Sequence, residues 1–259
     1  MPQHIARYRV GGVETFGLLQ DDGDYRRLAG SPFDDLTPTD AIDKATEVTR
    51  LAPIRPRRIF GAGLNYVSHI AEMGMKRPEI PMLFMKPDST IVGPGDPIVY
   101  PREGEEVHFE AELAVVIGRR ARRIGEAEAL DHVLGYTCAN DVSERVIQGR
   151  EMAMGCLVVG KSFDTFCPLG PVIATDLDPT ALRLKARLNG EERQNILTSD
   201  LLFSAATLVS YLSQAITLEP GDVILTGTPS GVGPIRPGDV VDIEVEGVGI
   251  LTNPVVAEA

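Results

Sequence analysis

The chain has 259 residues, of which 43% are hydrophobic and 24% charged, and its formal net charge is −12. This length and hydrophobic content are typical of a folded protein with a substantial core, and they exclude a disordered chain. The acidic balance argues against nucleic acid and anionic membranes as partners, because phosphate groups are bound by basic surfaces. We therefore expect a small-molecule ligand.

The N-terminal residues and the cysteines indicate a compartment. The first ten residues lack the apolar run of a signal peptide, and no window reaches the roughly 18 apolar residues of a membrane span. The three cysteines are an odd number without C-x-x-C spacing, which favours reduced thiols over disulfides or a zinc site. We expect a cytoplasmic protein without a membrane partner.

Residues 1–52 are predicted to form a small N-terminal domain. Alternating residues on both sides of Gly11-Gly12 predict a hairpin, and a short helix is predicted near residues 41–49. Prolines 53 and 56 indicate a linker. Residues 53–259 are then a second, larger domain.

The first candidate catalytic residues follow a short apolar strand at residues 59–64. Helical spacing begins at Asn65, and His69 and Glu72 are three positions apart, which places them on one helical face. A carboxylate beside an imidazole orients the ring and raises its basicity, as a general base for water requires, although a solvated pair is the alternative. The glycine and prolines of residues 74–81 indicate a loop that covers a site.

Residues 107–118 predict a strand that carries two carboxylates. Glu110 and Glu112 share one face, opposite the apolar side chains of Phe109 and its alternate neighbours. They would lie roughly 7 Å apart, and a partly buried pair of like charges needs a cation, unless the face is exposed. Asp141, after a predicted strand at 133–139, offers a third carboxylate. Oxygen ligands of this kind suit Mg²⁺, Mn²⁺ or Ca²⁺.

Further polar side chains follow in the second half of the chain. A helix running on from Asp141 would place Arg145 and Gln148 on the same stripe. Lys161 comes just after an apolar run and a glycine, where it is either a clamp for a carboxylate or enolate or an ordinary surface lysine. Thr228 lies in a glycine-rich loop whose backbone N–H groups could receive an anion.

The remaining pattern predicts more strands than helices. A hairpin is predicted around Asn189-Gly190, and strands at residues 240–245 and 249–256. Helices are predicted at residues 127–134 and 203–216. The fold class is therefore mainly β, in the α+β sense, with a mixed sheet roll or sandwich.

These motifs, taken in order, resemble the fumarylacetoacetate hydrolase family over residues 55–257. The resemblance rests on five blocks of sequence: Asn65-Tyr66 with His69 and Glu72, Glu110-x-Glu112, Asn140-Asp141-Val142-Ser143 with Arg145 and Gln148, Gly160-Lys161-Ser162-Phe163-Asp164 with Pro168-Leu169-Gly170-Pro171, and Thr226-Gly227-Thr228-Pro229. It departs from the family pattern at Val146, where relatives often have aspartate, and at residues 154–159, where many have a tryptophan.

The resemblance implies a catalytic domain of β-sandwich roll type and a homodimer. It implies that Mg²⁺ or Mn²⁺, with Ca²⁺ as a possible substitute, is held by Glu110, Glu112 and Asp141. It also implies that His69 and Glu72 form a water-activating dyad and that Lys161 helps to hold the substrate. Substrate contacts are implied for Arg145, Gln148 and Thr228, and, on a weaker match to the family pattern, for Lys86.

The expected reaction is metal-dependent hydrolysis of a C–C bond in a β-diketo acid, such as an acylpyruvate or fumarylpyruvate. Decarboxylation of an oxaloacetate-like acid and isomerisation of 2-hydroxyhepta-2,4-diene-1,7-dioate are alternatives that use the same site. A binding protein that keeps the fold without turnover is the remaining alternative.

Overall fold

The computed structural model describes residues 2–259. The described residues contain three α-helices: α1 (Val67–Glu72), α2 (Arg145–Ala153) and α3 (Ala205–Ala215). The N-terminal strands are β1 (His4–Val10), β2 (Val13–Leu19), β3 (Tyr25–Leu28), β4 (Pro38–Asp43) and β5 (Thr49–Arg50). The central strands are β6 (Ile59–Gly63), β7 (Met82–Lys86), β8 (Ile91–Val92), β9 (Ile98–Tyr100), β10 (Val107–Phe109), β11 (Ala111–Ile117), β12 (Val133–Asn140), β13 (Ser143–Glu144) and β14 (Cys167–Ala174).

The C-terminal strands complete a mainly β fold. They are β15 (Arg183–Leu188), β16 (Glu191–Leu197), β17 (Val223–Leu225), β18 (Gly233–Pro234), β19 (Val240–Val245) and β20 (Gly249–Ala257). Short 3-10 turns lie at Ala45–Glu47, Asp88–Thr90, Glu126–His132, Val159–Lys161 and Thr198–Asp200. The predicted α+β class with a predominance of strands is confirmed.

One large sheet runs through the whole molecule. Its strand order is β4-β3-β2-β1-β14-β12-β11-β17-β6-β7, with β5 added beside β1 and β8 beside β14. Most neighbours are antiparallel, whereas β17 and β6 are parallel. A five-stranded sheet in the order β16-β15-β19-β20-β9 packs on β11, β12 and β14, and β13-β10-β18 form a small third sheet.

Strand β11 lies at the centre of the core and is buried along its whole length. Leu113, Val115 and Ile117 face the core between the two larger sheets, as the alternation predicts. Ala114 and Val116 face a second core on the opposite side of the large sheet. Each face of the strand packs against a core, and this explains why residues 113–117 are all apolar instead of alternating with polar residues.

The N-terminal residues extend the large sheet. Strand β1 pairs with β14 through Ile5 and Ile173, so hydrogen bonds continue from the first 52 residues into the rest of the chain. Ala52, at the end of the predicted N-terminal domain, and Ile54, in the predicted linker, are both buried in the second core. The predicted hairpin at Gly11-Gly12 is confirmed by the pairing of β1 with β2.

One predicted helix is wrong, and another is a 3-10 helix instead of an α-helix. The helix near residues 41–49 is instead strand β4, which pairs with β3, followed by a 3-10 turn. Asp43 fixes this strand, because its carboxylate accepts hydrogen bonds from the Tyr8 hydroxyl (2.7 Å) and from Arg27 Nε (2.9 Å). The helix predicted at 127–134 is a 3-10 segment that ends at His132, where β12 follows.

Candidate active site

The site begins where two neighbouring strands are interrupted side by side. Glu110 separates β10 from β11, and Asp141 follows β12, whose last residue, Asn140, is paired with Ala111. Glu110 N donates to Asn140 Oδ1 (2.9 Å), and Asp141 N donates to the Glu110 carbonyl (2.9 Å). These bonds hold Glu110 and Asp141 beside each other.

Three carboxylates converge at this interruption. Glu110, Glu112 and Asp141 each offer one oxygen, and these oxygens all lie within 4.8 Å of one another. The three residues are 5%, 1% and 0% exposed. An oxygen-only donor set of this compactness fits Mg²⁺ or Mn²⁺, and Ca²⁺ by the same donor chemistry.

Three cationic side chains surround the carboxylates. Lys161 Nζ donates to Glu110 Oε2 (2.7 Å) and to Asp141 Oδ2 (2.6 Å), which it bridges. Lys86 Nζ donates to the other Asp141 oxygen (2.6 Å) and to the Val142 carbonyl (3.2 Å). Arg145 lies 2.6 Å from Glu110 Oε1 as an ion pair. Buried cations are expected here, because unpaired buried carboxylates are costly.

The two glutamates have opposite electrostatic environments. Burial works against ionisation of Glu110, but the charges of Lys161 and Arg145 outweigh it and hold the pKa of Glu110 below its ordinary value. Burial, followed by the charges of Asp141 and Glu110, raises the pKa of Glu112. In residues 2–259, no Lys, Arg or His lies within 4 Å of the Glu112 carboxylate. Glu112 is thus the carboxylate that most needs a bound cation.

The glycine-rich loop after β17 receives carboxylates of the chain itself. Gly227 N donates to Glu112 Oε2 (2.5 Å), and Gly231 N donates to Glu72 Oε1 (3.0 Å). The prediction that these N–H groups receive a ligand's anion is therefore wrong for Gly227 and Gly231, since each already has a partner. The loop instead joins the triad to the next pair of candidate residues.

His69 and Glu72 form the predicted pair on α1. His69 Nδ1 lies 2.9 Å from Glu72 Oε2, and the imidazole is nearly buried, whereas the Glu72 side chain is 39% exposed. Because Glu72 occupies Nδ1 and is itself held by Gly231, the ring orientation is fixed and Nε2 is left for a ligand.

The predicted helical stripe is corrected at its first residue. Asp141 lies before β13, and α2 begins only at Arg145, so Asp141 is not on the helix. Glu144 is the N-cap residue of the helix, and its carboxylate accepts a hydrogen bond from Ile147 N (2.6 Å). Arg145 NH1 donates to Gln148 Oε1 (2.7 Å), so these two side chains do meet.

A cavity of about 310 Å³ brings most of the candidates together. It is lined by His69, Glu110, Glu112, Asp141, Arg145, Gln148, Lys161 and Thr228. Lys86 is not among the lining residues; it lies behind Asp141, so its contact is with a carboxylate and not with the cavity. Glu72 does not line the cavity either; it contacts His69 and is partly exposed to solvent.

Glu151 is a buried residue that the sequence pattern does not single out. Its carboxylate accepts hydrogen bonds from the backbone N–H groups of Val158 (3.1 Å), Val159 (2.7 Å) and Gly160 (3.0 Å). These bonds hold the pKa of Glu151 below its ordinary value, despite burial. A side chain at Gly160 would meet the backbone of α2 within 3 Å. Together these contacts fix the turn that delivers Lys161.

Gln194 is a second such residue, on β16. Its Oε1 accepts from Ala111 N (3.0 Å), and its Nε2 donates to Thr228 Oγ1 (3.0 Å) and to the Pro229 carbonyl (2.8 Å). It thereby connects the start of β11 to the loop that carries Thr228. The sequence gives no signal for this role, because Gln194 stands among polar residues in a strand that does not alternate.

The fold and the carboxylate cluster define a mainly β protein with a buried candidate metal site. The model of the fumarylacetoacetate (FAA) hydrolase C-terminal family matches residues 58–256, and a family described as Rv2993c-like, N-terminal, matches residues 3–53. The chain therefore belongs to the fumarylacetoacetate hydrolase family, as the sequence motifs predict.

Relatives extend over most of the chain. Protein Rv2993c of Mycobacterium tuberculosis is 46% identical over 234 residues, which are 89% of this chain and 87% of that protein. A mitochondrial protein of Xenopus laevis named oxaloacetate tautomerase fahd2 is 46% identical over 222 residues, or 82% of this chain and 69% of that protein.

Solved structures share the whole fold. A 2-hydroxyhepta-2,4-diene-1,7-dioate isomerase from Mycobacterium marinum has a TM-score of 0.90 at 39% identity and covers 99% of both chains. A 5-carboxymethyl-2-hydroxymuconate delta-isomerase from Mycobacterium smegmatis has a TM-score of 0.92 at 43% identity, with 98% of this chain and 100% of that chain covered. No helix in residues 2–259 is long and apolar enough to cross a membrane.

Proposed function

We propose that the protein is a divalent-metal-dependent enzyme that interconverts the keto and enol forms of a small 2-oxo acid. The observation that carries the proposal is the placement of three buried carboxylates and the His69–Glu72 pair around one cavity. The names of the tautomerase and isomerase relatives support this reaction over others that the same site suits.

The residues of the chain supply binding and proton transfer. Glu110, Glu112 and Asp141 would hold Mg²⁺ or Mn²⁺, which when bound supplies positive charge that stabilises an enolate oxygen. His69 Nε2 takes a proton from the carbon next to the keto group, while Glu72 keeps the ring oriented through Nδ1. A proton is then delivered to the keto oxygen, which completes the enol. The net reaction moves one proton from carbon to oxygen, and no bond between carbon atoms breaks. Lys161 adds a cation at the floor of the cavity.

Hydrolysis of a C–C bond, the reaction expected from the sequence, is the second candidate. It is favoured by the same dyad, because an imidazole held by a carboxylate can also deprotonate water. The two reactions differ in the fate of the carbon skeleton. Isomerisation conserves the skeleton, whereas hydrolysis releases two acids.

The test is to incubate the protein in D₂O with Mg²⁺ or Mn²⁺ and a panel of oxaloacetate, acetylpyruvate, fumarylpyruvate and hydroxy-diene-dioates. We expect deuterium to enter next to the keto group, above the buffer rate and without cleavage, as followed by NMR. Glu110→Ala should abolish the enzymatic rate. Release of two acids would favour hydrolysis, and undiminished turnover in metal-free buffer would remove the metal from the proposal. The homodimer and the cytoplasmic location stay predictions.

A further inference from the structure

The candidate cavity is chemically divided. The carboxylates and Lys161 are buried at its inner end, whereas most of the partly or largely exposed side chains of the lining, which form the end toward solvent, are apolar, among them Met73, Met82, Met152, Leu157 and Val232. Met73 is 55% exposed and Met152 is 37% exposed, so their thioether side chains leave apolar surface in water. Apolar surface that continues from a polar site is typical of a surface that a ligand covers, and methionine adapts to ligands of different shape.

The apolar end offers no cation for a second carboxylate. Among the lining residues in the described part of the chain, the Lys and Arg side chains are Lys161 and Arg145. Lys161 is bound to Glu110 and Asp141, and Arg145 lies between Glu110 and Gln148. His108 also lines the cavity; its Nε2 lies 2.8 Å from a Glu106 oxygen, and its buried Nδ1 has no hydrogen-bond partner in the described residues. With Nε2–H donating to Glu106, Nδ1 carries a lone pair and cannot donate to a carboxylate. A distal carboxylate would therefore lose water without gaining a cationic partner, which is unfavourable.

From this division we infer that the enzyme prefers 2-oxo acids whose distal end is an uncharged alkyl or aryl group over 2-oxo dicarboxylic acids. Met73 and Met152 are the residues that would determine this specificity. The inference rests on the proposed function, because it assumes that the 2-oxo carboxylate lies at the triad. Oxaloacetate and the dioate, for which two relatives are named, are both dicarboxylic, so the inference predicts that this chain binds such acids less tightly than monocarboxylic analogues.

The size of the preference follows from apolar burial. Each methylene group transferred from water to the methionine surface should tighten binding about threefold to fourfold. A terminal carboxylate on the same chain should weaken it by at least about tenfold, because its desolvation is uncompensated. These effects are large enough to measure directly.

The experiment uses unreactive probes, so that binding is separated from turnover. N-Hexyloxamate and N-(5-carboxypentyl)oxamate carry the same 2-oxo carboxylate unit and differ at the far end in a charge. Their dissociation constants for the full chain with Mg²⁺ are measured by calorimetry. We expect the hexyl probe to bind at least about tenfold more tightly. Equal or tighter binding of the carboxypentyl probe overturns the inference and leaves the proposed function standing.

Matched variants test which residues determine the preference between the two probes. Met152→Arg should reduce the preference for the hexyl probe at least about tenfold, since it removes apolar surface and adds a cation. Met73→Arg, at the residue that directly follows α1, should act in the same direction. Met154→Arg is the control, because Met154 is 76% exposed at the end of α2 and does not line the cavity. A preference that Met154→Arg changes as much as Met152→Arg does would overturn the assignment.

Two other outcomes are decisive. Failure of both probes to bind in the presence of Mg²⁺ would remove the 2-oxo acid site, and the inference would fall with the proposed function. If Met152→Arg altered the oligomeric state in sedimentation and left the probe preference unchanged, the methionine surface would belong to a contact between copies, and the inference would be overturned.

Discussion

Lys161 reaches the carboxylates through a turn that depends on a single glutamate. Glu151 binds three consecutive backbone N–H groups just before Lys161, and Lys161 Nζ then bridges Glu110 and Asp141. Three hydrogen bonds to one carboxylate hold a short turn firmly, because bonds to charged acceptors are stronger than neutral ones. Glu151 is therefore a positioning residue for Lys161.

We predict that Glu151→Ala lowers kcat about 10-fold to 100-fold, because a small displacement of a charged group at the reacting centre is costly. In a Lys161→Met background the same change should have little further effect, since both act through one ammonium group. The measurement is kcat for the single and double variants. Asn253→Ala is the control, because Asn253 is a buried brace of the Gly93–Asp96 turn and does not line the cavity. Additive losses would contradict the prediction.

The environment of Glu112 predicts that binding of a metal ion releases a proton. Burial, Asp141 and Glu110 raise the pKa of Glu112 in the metal-free chain, whereas a metal ligand must be ionised. Below the raised pKa, ion binding must displace a proton, so affinity should rise with pH through that range. Calorimetry of Mg²⁺ or Mn²⁺ binding in buffers of different ionisation enthalpy counts the protons released. Glu112→Gln should weaken binding and remove this proton release. Binding by the unaltered protein that is independent of pH would contradict the prediction.

At the scale of single residues, the sequence predicts which carboxylates come together better than it predicts the side chains that contact them. Glu110 and Glu112 are detectable because charges interrupt an apolar strand. The bridging contact of Lys161 is not detectable in this way, because it joins residues 20 and 51 positions apart. Lys86 was expected at the substrate, and its position behind Asp141 likewise depends on packing between distant strands.

Among the elements, the interruption between β10 and β11 determines where the site lies. The period-2 pattern predicts which face each side chain takes, and Phe109, Leu113, Val115 and Ile117 do share the main core. The pattern does not predict the interruption at Glu110, because that depends on β10 leaving β11 to pair with β13 and β18. Local propensity fails in the same way for β4, which depends on pairing with β3.

The loop that supports α1 can be tested at Gly231. This glycine has a φ of +94°, and a side chain there would meet the Arg193 carbonyl at 2.2 Å. Gly231→Ala should destabilise the fold by about 1–3 kcal/mol and lower kcat, because the loop must shift to relieve this contact and the shift moves the backbone N–H of residue 231 away from Glu72. Urea unfolding and steady-state kinetics measure the two effects.

Gly12→Ala is the matched control for this substitution. Gly12 also has a positive φ, +82°, but a side chain there would meet nothing within 4 Å. It should share the conformational strain and leave kcat unchanged. Equal losses of kcat in the two variants would mean that the loop does not act through Glu72.

At the scale of the whole molecule, the large sheet joins the N-terminal residues to the rest. The predicted hairpin and helix and the prolines that follow them indicate a small domain over residues 1–52, and the family match over residues 3–53 has nearly the same extent. The continuity of the sheet is not predictable locally, because the partner of Ile5 is Ile173. Whether residues 1–52 are an independent domain stays a prediction, and the pairing of β1 with β14 makes it testable.

We predict that the chain unfolds in one cooperative transition, because β1 contributes hydrogen bonds and buried side chains to the same sheet as β14. Ile5 is fully buried, so Ile5→Asp should destabilise the whole molecule by about 3–5 kcal/mol and lower its single Tm by roughly 10 °C. Val13→Asp, at a position that is 65% exposed in the same hairpin, should leave Tm nearly unchanged. Scanning calorimetry of the three proteins provides the measurement. If the scan showed two transitions and Ile5→Asp lowered the temperature of only one of them, residues 1–52 would unfold independently of the rest of the large sheet.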